Sequence, residues 1–335
     1  MRILAGDIGG TNTRLAFVQD DSSARLRHEK IYASAYYASL ISIIEDFLTL
    51  YDIQEQLDAC CLAVAGPVIS GCAVLTNLPW KICEQELATL LQTERVTLIN
   101  DLVAAAYAIP DLKTDELLVL QEGNNKPALE ARRDAVIVAA GTGLGASHLV
   151  WQGDHYQAFS SEAGHAGFAP QTKVQRQLLA WLQPQYGHVS AEMLLSGMGL
   201  HTIYRFHAEV MGLPESEDVR ASMRTTDPAR VITRHALAAS DELCVQTVKC
   251  FIEIYGSVTA DITLHYFPVN AVYLAGGIAQ KIKTALACPA FIHAFTNKGP
   301  MHDNLQGLPV YLVLTEHPGL EGAIVHARQF YLQAR

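Results

Sequence analysis

The chain predicts an α/β fold with a mostly parallel core sheet, spread over about two domains. Three observations carry that prediction. Apolar runs of strand length alternate with segments of helical period along most of the chain, the pattern of βα units. Three of those runs end in glycine loops, at Gly9-Gly10, at Gly141-Thr142-Gly143-Leu144-Gly145 and at Gly276-Gly277. The length, 335 residues of which 50% are hydrophobic, suffices for a substantial core and exceeds one average domain.

Taken in order, Ile3 to Ala5 reads as a strand that reaches Asp7, then Gly9-Gly10-Thr11-Asn12, before strand-like residues resume from Leu15 to Val18. This is two strands joined by a glycine turn with Asp7 at its mouth. Glycines let backbone N–H groups approach a ligand that a Cβ would block. Successive N–H groups in such a turn form a concave anion site, beside which an aspartate can hold Mg²⁺. Taken alone, the same pattern also describes an ordinary hairpin with a solvated Asp. Ala38 to Tyr51 places Leu40, Ile41, Ile44, Phe47, Leu48 and Tyr51 on one helical face. Ala59 to Val64 is a continuous apolar strand, Cys72 to Leu75 a short neighbour, Cys83 to Leu91 a helix and Val96 to Ile99 a strand. A helix from Leu102 to Ile109 stops at Pro110, and the polar segment Asp111 to Asp115 is the expected crossing into a second domain.

Beyond it, Ala135 to Ala140 is again a strand that runs into a glycine loop, and Ala146 to Trp151 is strand-like. Val174 to Leu182, Ala191 to Leu195 and Leu200 to Met211 read as helices. Asp227-Pro228 is an N-cap followed by proline at the first helical position, opening a helix through Ala238. A long helix runs from Asp241 toward Tyr266, the strand Ala271 to Leu274 meets the third glycine loop, Pro309 to Leu314 is a strand, and Gly319 to Gln333 closes the chain as a helix.

Composition removes several classes. With 24 basic and 34 acidic residues the net charge is −10, which repels nucleic acid and anionic membrane. No G-x-x-x-x-G-K-[ST] occurs, so the P-loop solution with its lysine is excluded, and a bound nucleotide must rely on loop amides, a helix N-terminus and a metal ion. No apolar run approaches the roughly 18 residues of a membrane span. Residue 3 already lies in a strand, leaving no room for a signal peptide. The seven cysteines are scattered and show no C-x-x-C or zinc spacing. Small apolar fillers in a reducing compartment are expected.

Candidate chemistry gathers at a few polar positions. Asp101 closes a strand, where a side chain can project as a general base, although Asp there is also a strong helix cap. Glu162 and His165 flank Gly164 on a glycine-rich loop, and a carboxylate and an imidazole can engage several hydroxyls at once. Glu192 alone looks like any acid in a first helical turn.

The three glycine loops together resemble the two phosphate clamps and the adenosine loop of the sugar kinase, Hsp70 and actin superfamily. Leu98-Ile99-Asn100-Asp101, Glu162-Ala163-Gly164-His165, Leu195-Ser196-Gly197 and His317-Pro318-Gly319-Leu320 match, in order, the bacterial glucokinase family, and the resemblance spans Leu4 to about Arg328. It implies a two-lobed ribonuclease H-like (actin/hexokinase-type) fold, with mixed sheets flanked by helices and a cleft between lobes. A small domain over residues 1–111 would regain about 315–335 from the end of the chain, and 112–314 would form the large domain. It further implies ATP-dependent phosphorylation of glucose at the 6-hydroxyl, with ATP and Mg²⁺ as cofactors, in a cytoplasmic homodimer.

Residue by residue, the resemblance assigns Asp101 as the base and Asn100, Asp101, Glu162, His165 and Glu192 as glucose contacts. Gly6, Asp7, Ile8, Gly9, Gly10, Thr11 and Asn12 would form the first phosphate clamp, with Asp7 on the Mg²⁺. Gly141, Thr142, Gly143 and Gly145 would form the second clamp, and Gly276 and Gly277 the adenosine loop. Ala163 stands where the family has glycine and Met198 where it has proline, and both bear on substrate preference. The chain lacks the cysteine-rich zinc motif of the repressor/ORF/kinase sugar kinases. A kinase of another hexose, a nucleotide-dependent oxidoreductase built on G-x-G-x-G, and a non-enzymatic sugar sensor are the alternatives. The sensor would have lost the base, and Asp101 is present. The oxidoreductase leaves Asp7 to Thr11 without a role.

Overall fold

The computed structural model describes residues 1–20, 25–75, 78–124, 134–315 and 317–333. The chain divides into two compact units. The first comprises Met1–Leu112, Trp151–Ser160 and Glu316–Arg335, and the second Lys113–Val150 and Ser161–Thr315.

The first unit is built on a five-stranded sheet. Strands β1 (Arg2–Ile8), β2 (Asn12–Asp20) and β3 (Arg25–Ala33) precede helix α1 (Leu40–Leu50) and strand β4 (Ala59–Val64). Short strands β5 (Val68–Ile69), β6 (Cys72–Val74) and β7 (Lys81–Cys83) form a small separate sheet, followed by α2 (Glu84–Leu91), β8 (Val96–Asn100) and α3 (Asp101–Ala108). The large sheet runs β3-β2-β1-β4-β8. Neighbours β3, β2 and β1 are antiparallel, while β1, β4 and β8 are parallel. All six residues of β4 are buried because it lies mid-sheet, which is why it reads as an unbroken apolar run. Each Val or Leu fully removed from water there contributes about 1.5–3 kcal/mol. Helix α1 opens on a Ser39–Ser42 capping box and buries Leu40, Ile43, Ile44 and Phe47 on one face.

The second unit contains β9 (Leu117–Gln121), β10 (Ala135–Ala140) and β11 (Leu144–Trp151), then, past β12 (Tyr156–Ser161), the helices α4 (Lys173–Tyr186), α5 (Gly197–Glu209), α6 (Glu217–Met223), α7 (Pro228–Leu237) and α8 (Glu242–Tyr266). It continues through β13 (Ala271–Ala275), α9 (Gly277–Lys281), α10 (Lys283–Leu286), α11 (Pro289–Thr296), α12 (His302–Gln306) and β14 (Val310–Val313). Helix α13 (Pro318–Gln333) belongs to the first unit. Within the second unit the strand order is β11-β10-β13-β14-β9. Here too an antiparallel hairpin, β10–β11, is followed by parallel neighbours, β13 and β14. The 25-residue α8, about 37 Å long at 1.5 Å per residue, is the spine of this core. Its Tyr255 hydroxyl donates to Val138 O on β10 at 3.1 Å.

The mixed sheets flanked by helices agree with the α/β reading, and three local expectations are corrected. Ala191 to Leu195 is a turn, not a helix. Its first two amides bond outside the segment, Ala191 N–H to Ala166 O and Glu192 N–H to Gly164 O, each at 2.9 Å, while Leu194 and Leu195 N–H turn back to Ala191 O. The following helix begins at Gly197, capped by Ser196 Oγ, which accepts from Gly199 N–H. Strands β3, β9 and β12 are additions to the sequence reading; β3 hides because Arg25-Leu26-Arg27-His28-Glu29-Lys30 is mostly charged, a composition tolerated at a sheet edge. The cysteines are not all unlinked fillers, since Cys72 and Cys83 form a disulfide. They are directly opposed across β6 and β7, a register no spacing rule reveals. Cys60, Cys61, Cys244 and Cys250 are buried and free.

Candidate active site

In the first unit the parallel strands β1, β4 and β8 end at one level, with Ile8 paired to Val64 and Val64 to Asn100. Side chains that follow the carboxyl ends of parallel strands converge on the same rim. Asp7 and Asp101 meet there. Burial, and then the Asp101 charge, push the Asp7 carboxyl up to about 6 against the pull of Arg14. Arg14 offers little relief, since its guanidinium is engaged by Glu29 at 2.6 Å. Burial also raises the Asp101 carboxyl, opposed by the Leu102 amide and by Asn100. Two half-buried acids with raised proton affinity at one rim are suited to a cation or a transferring proton.

The helix-cap reading of Asp101 is settled by its neighbour. Asn100 is the N-cap of α3, its Oδ1 accepting from Leu102 N–H at 2.9 Å and Val103 N–H at 3.4 Å. Its Nδ2 donates to Gly66 O at 3.2 Å. Asp101 is the first helical residue, and its Oδ1 shares the Leu102 amide, at 2.9 Å.

Between β1 and β2 lies a three-residue loop, Gly9-Gly10-Thr11. Gly9 N–H donates to Asn12 O at 2.9 Å, which closes the turn. Ser34, just past β3, holds it from outside: its N–H donates to Thr11 O and its hydroxyl to Gly9 O, at 2.9 and 3.0 Å. Thr13 hydrogen-bonds the same hydroxyl at 3.1 Å. Ser34 was missed because it lies 22 residues beyond Asn12 behind a strand whose composition hides it. Gly6 and Ile8 sit inside the strand. Ile8 is fully buried, and a Cβ on Gly6 would strike Leu15 and Leu62, so Gly6 is there for packing. Gly319 near the start of α13 is a further unassigned position, since a Cβ there would lie 3.0 Å from Asp7 Oδ2.

The second unit repeats the loop. Gly141-Thr142-Gly143 joins β10 to β11, with Gly141 N–H donating to Gly143 O at 2.8 Å, and Gly145 pairs with Ala139 inside β11. Because a strand and not a helix follows, this is a hairpin and not the strand-to-helix turn of a dinucleotide fold. Gly197 N–H at the head of α5 donates to Gly141 O at 3.1 Å. Gly276 follows β13, the parallel neighbour of β10, at φ +92°, and a Cβ on it would collide with Ala140 O. The third glycine loop, with Gly277 opening α9, is thereby brought beside the second.

Glu162, His165 and Glu192 come together in the same unit. His165 Nε2 is 3.8 Å from Glu162 Oε2, and His165 Nδ1 is 3.9 Å from Glu192 Oε1. Glu162 and His165 are open to solvent, 78% and 63% exposed, while Glu192 is half-buried. They are held by Gly164, which packs so tightly on Leu144 that a Cβ would overlap Leu144 O. The Glu192 carboxylate accepts from Leu144 N–H at 2.9 Å. Met198 is exposed in the first turn of α5.

No group of three or more His, Cys, Asp or Glu among the described residues is arranged to hold a metal unaided. Asp7 alone, buried beside a second carboxylate, suits a divalent cation whose other ligands are phosphate oxygens and water. No helix of the described residues is long and apolar enough to cross a membrane.

Comparison with known proteins gives the same direction. A glucokinase from Nostoc sp. is 36% identical over 340 residues, spanning 97% of this chain and 98% of that protein. The crystal structure of a glucokinase from an Antarctic psychrotroph superposes with TM-score 0.84 at 30% identity, covering 98% and 99% of the two chains. The glucokinase of Balamuthia mandrillaris, determined in complex with glucose, shares the fold with TM-score 0.79 at 20% identity over 98% and 93%. With the Glucokinase family model matching residues 4–330, the chain belongs to the glucokinase family.

Proposed function

We propose that this protein transfers the γ-phosphoryl group of MgATP to the 6-hydroxyl of glucose, giving glucose 6-phosphate and ADP. The observation that carries the reading is the pair Asp7–Asp101 at one rim of the parallel strands, with Asn100, not Asp101, as the N-cap of α3. Asp101 would accept the proton of the 6-hydroxyl as the phosphoryl group arrives. A raised proton affinity suits that task, because a base that binds the proton too weakly gives little driving force. Asn100, Glu162, His165 and Glu192 would hold the sugar hydroxyls.

Amides of Gly9-Gly10-Thr11-Asn12 and of Gly141-Thr142-Gly143 would face the phosphates, with Gly276 and Gly277 at the adenosine. None of these three loops contains a lysine, so charge neutralisation would fall to the amides and the metal. Mg²⁺ bound with the nucleotide at Asp7 would supply the positive charge that stabilises the transferring phosphoryl group. The proposal extends to a homodimer acting in the cytoplasm, tested by sedimentation velocity and cell fractionation.

The direct test is ADP release measured over a panel of sugars and phosphoryl donors. Glucose with MgATP should give the highest kcat/KM, and EDTA should abolish turnover. Undiminished turnover in EDTA, or a strong preference for another hexose, would overturn the reading.

A further inference from the structure

Glu192 touches two functional groups at once. One carboxylate oxygen, Oε2, accepts the N–H of Leu144, the residue that follows the Gly141-Thr142-Gly143 loop, at 2.9 Å. The other, Oε1, faces His165 Nδ1 at 3.9 Å. The fit to the loop is close, since a Cβ on Gly143 would land on the Glu192 carboxylate. The backbone repeats the link: Glu192 N–H donates to Gly164 O at 2.9 Å, and Gly164 lies between Glu162 and His165. Glu192 is therefore bonded by its main chain to the loop proposed to bind sugar, and by its side chain to the loop proposed to bind phosphate.

A carboxylate is one rigid plane, so a load on Oε1 reorients Oε2. A sugar hydroxyl that replaces solvent around Oε1 and His165 would fix that plane. The fixed plane holds Leu144 N–H, and with it the turn whose amides must all point at a phosphate. A loop already ordered by one ligand costs less to order for the next, and such coupling is reciprocal.

We propose that Glu192 is a positioning residue that couples the two substrates, so that glucose bound at Glu162 and His165 presets the Gly141-Thr142-Gly143 loop and tightens nucleotide binding. The proposal rests on the kinase reading above and adds to it an ordered, synergistic use of the two sites within one unit.

The test is a thermodynamic square by calorimetry, using glucose and the magnesium complex of a non-hydrolysable ATP analogue, each titrated alone and in the presence of the other. In the wild-type protein, saturating glucose should lower the Kd of the analogue at least ~fivefold, and the analogue should lower the Kd of glucose by the same factor. Glu192→Met keeps the approximate length but has no oxygen, so it can neither accept Leu144 N–H nor present a charge to His165. The coupling factor should fall to within twofold of unity, whatever change glucose affinity itself undergoes. Gly143→Ala pushes on the same carboxylate from the phosphate side and leaves Glu162 and His165 untouched. It should bring the coupling factor to within twofold of unity, whatever change the Kd of glucose alone undergoes.

Coupling retained in either folded variant overturns the proposal. So does a wild-type protein that binds both ligands independently, which would leave the kinase reading standing. A wild-type protein that binds neither ligand overturns both.

Discussion

The two units present the same scaffold at their hairpins and equip it differently. In each, an antiparallel hairpin turns through a three-residue loop, and its first strand pairs in parallel with the next strand of the sheet. Two residues before the loop, the first hairpin carries Asp7 and the second Ala139. The first has its acid built into the strand, buried beside Asp101 and pushed up to about 6. The second has an apolar residue there, and takes its carboxylate from Glu192, whose Oε2 accepts Leu144 N–H. A half-buried acid at the rim can bind a cation or a proton, whereas a carboxylate with one oxygen spent on a loop amide orients that loop and keeps the other for a hydroxyl. On this reading charge chemistry belongs to the first unit, and the second contributes geometry and hydroxyl recognition. The strongest way to break the comparison is to neutralise each acid in turn.

Asp101→Asn should cost the most. Because Asn100 supplies the cap, the start of α3 survives the change. The amide can still hydrogen-bond a hydroxyl but cannot take its proton. We expect kcat to fall by about 10²–10⁴ while glucose binding stays within roughly tenfold, read from steady-state kinetics and a glucose titration. Turnover near that of the wild type would reduce Asp101 to a first-turn residue of the helix.

The contrast also explains what could be read from the chain. Asp7 through Asn12 and Gly141 through Gly145 are contiguous, so local rules for glycine turns recover both hairpins. The buried runs Ala59 to Val64 and Ala135 to Ala140 announce mid-sheet strands by composition alone. Glu192 could not be understood in this way. Its partners lie 28 and 48 residues away, at Gly164 and Leu144, and the segment expected as a helix is a turn. Ser34, which ties down the first loop, and Cys83, which meets Cys72, depend likewise on strand registers that only the folded sheets define. What stayed hidden was long-range pairing.

Asp7→Asn should sharpen the comparison by separating stability from function. The folded-state pKa of Asp7 is raised from 3.8 to about 6, so the folded protein binds this proton more tightly than the unfolded chain does. The stability this contributes is fully present below pH 3.8 and is lost as pH rises through about 6. Above that, the folded state carries a desolvated carboxylate at a cost of about 3 kcal/mol. The asparagine variant should therefore melt higher than the wild type at pH 8 in the absence of nucleotide, with the gap closing by pH 4, while its kcat collapses. A lower melting temperature at pH 8 would mean that the ionised carboxylate is a structural asset, and the functional reading of its burial would fail. Ala139, its counterpart in the second unit, has no ionisable group and gives no such trade between activity and stability.

The smallest expected effect tests whether the first unit is special for its acid rim alone or also for the helix that covers it. Helix α13 brings Gly319 against Asp7 and, two turns on, buries His326 against Tyr107 of α3 at 4.8 Å between ring centroids. Burial holds the His326 imidazole down to about 4, and its Nδ1 has no hydrogen-bond partner. The sign is opposite to that of Asp7. Here the unfolded chain takes up the proton first, so stability is intact above pH 6.5 and is lost as pH falls from 6.5 toward 4. At pH 5 the loss is about 2 kcal/mol. His326→Phe preserves an aromatic between Tyr107 and Phe330 and removes the titration, so its denaturation midpoint should change less than that of the wild type between pH 7 and pH 5. Turnover at pH 8 should stay within about twofold, since the ring lies on a covering helix and not at the rim. If the variant instead loses stability in parallel with the wild type as pH falls, the acid sensitivity of this unit belongs to other groups and α13 is a passive cover.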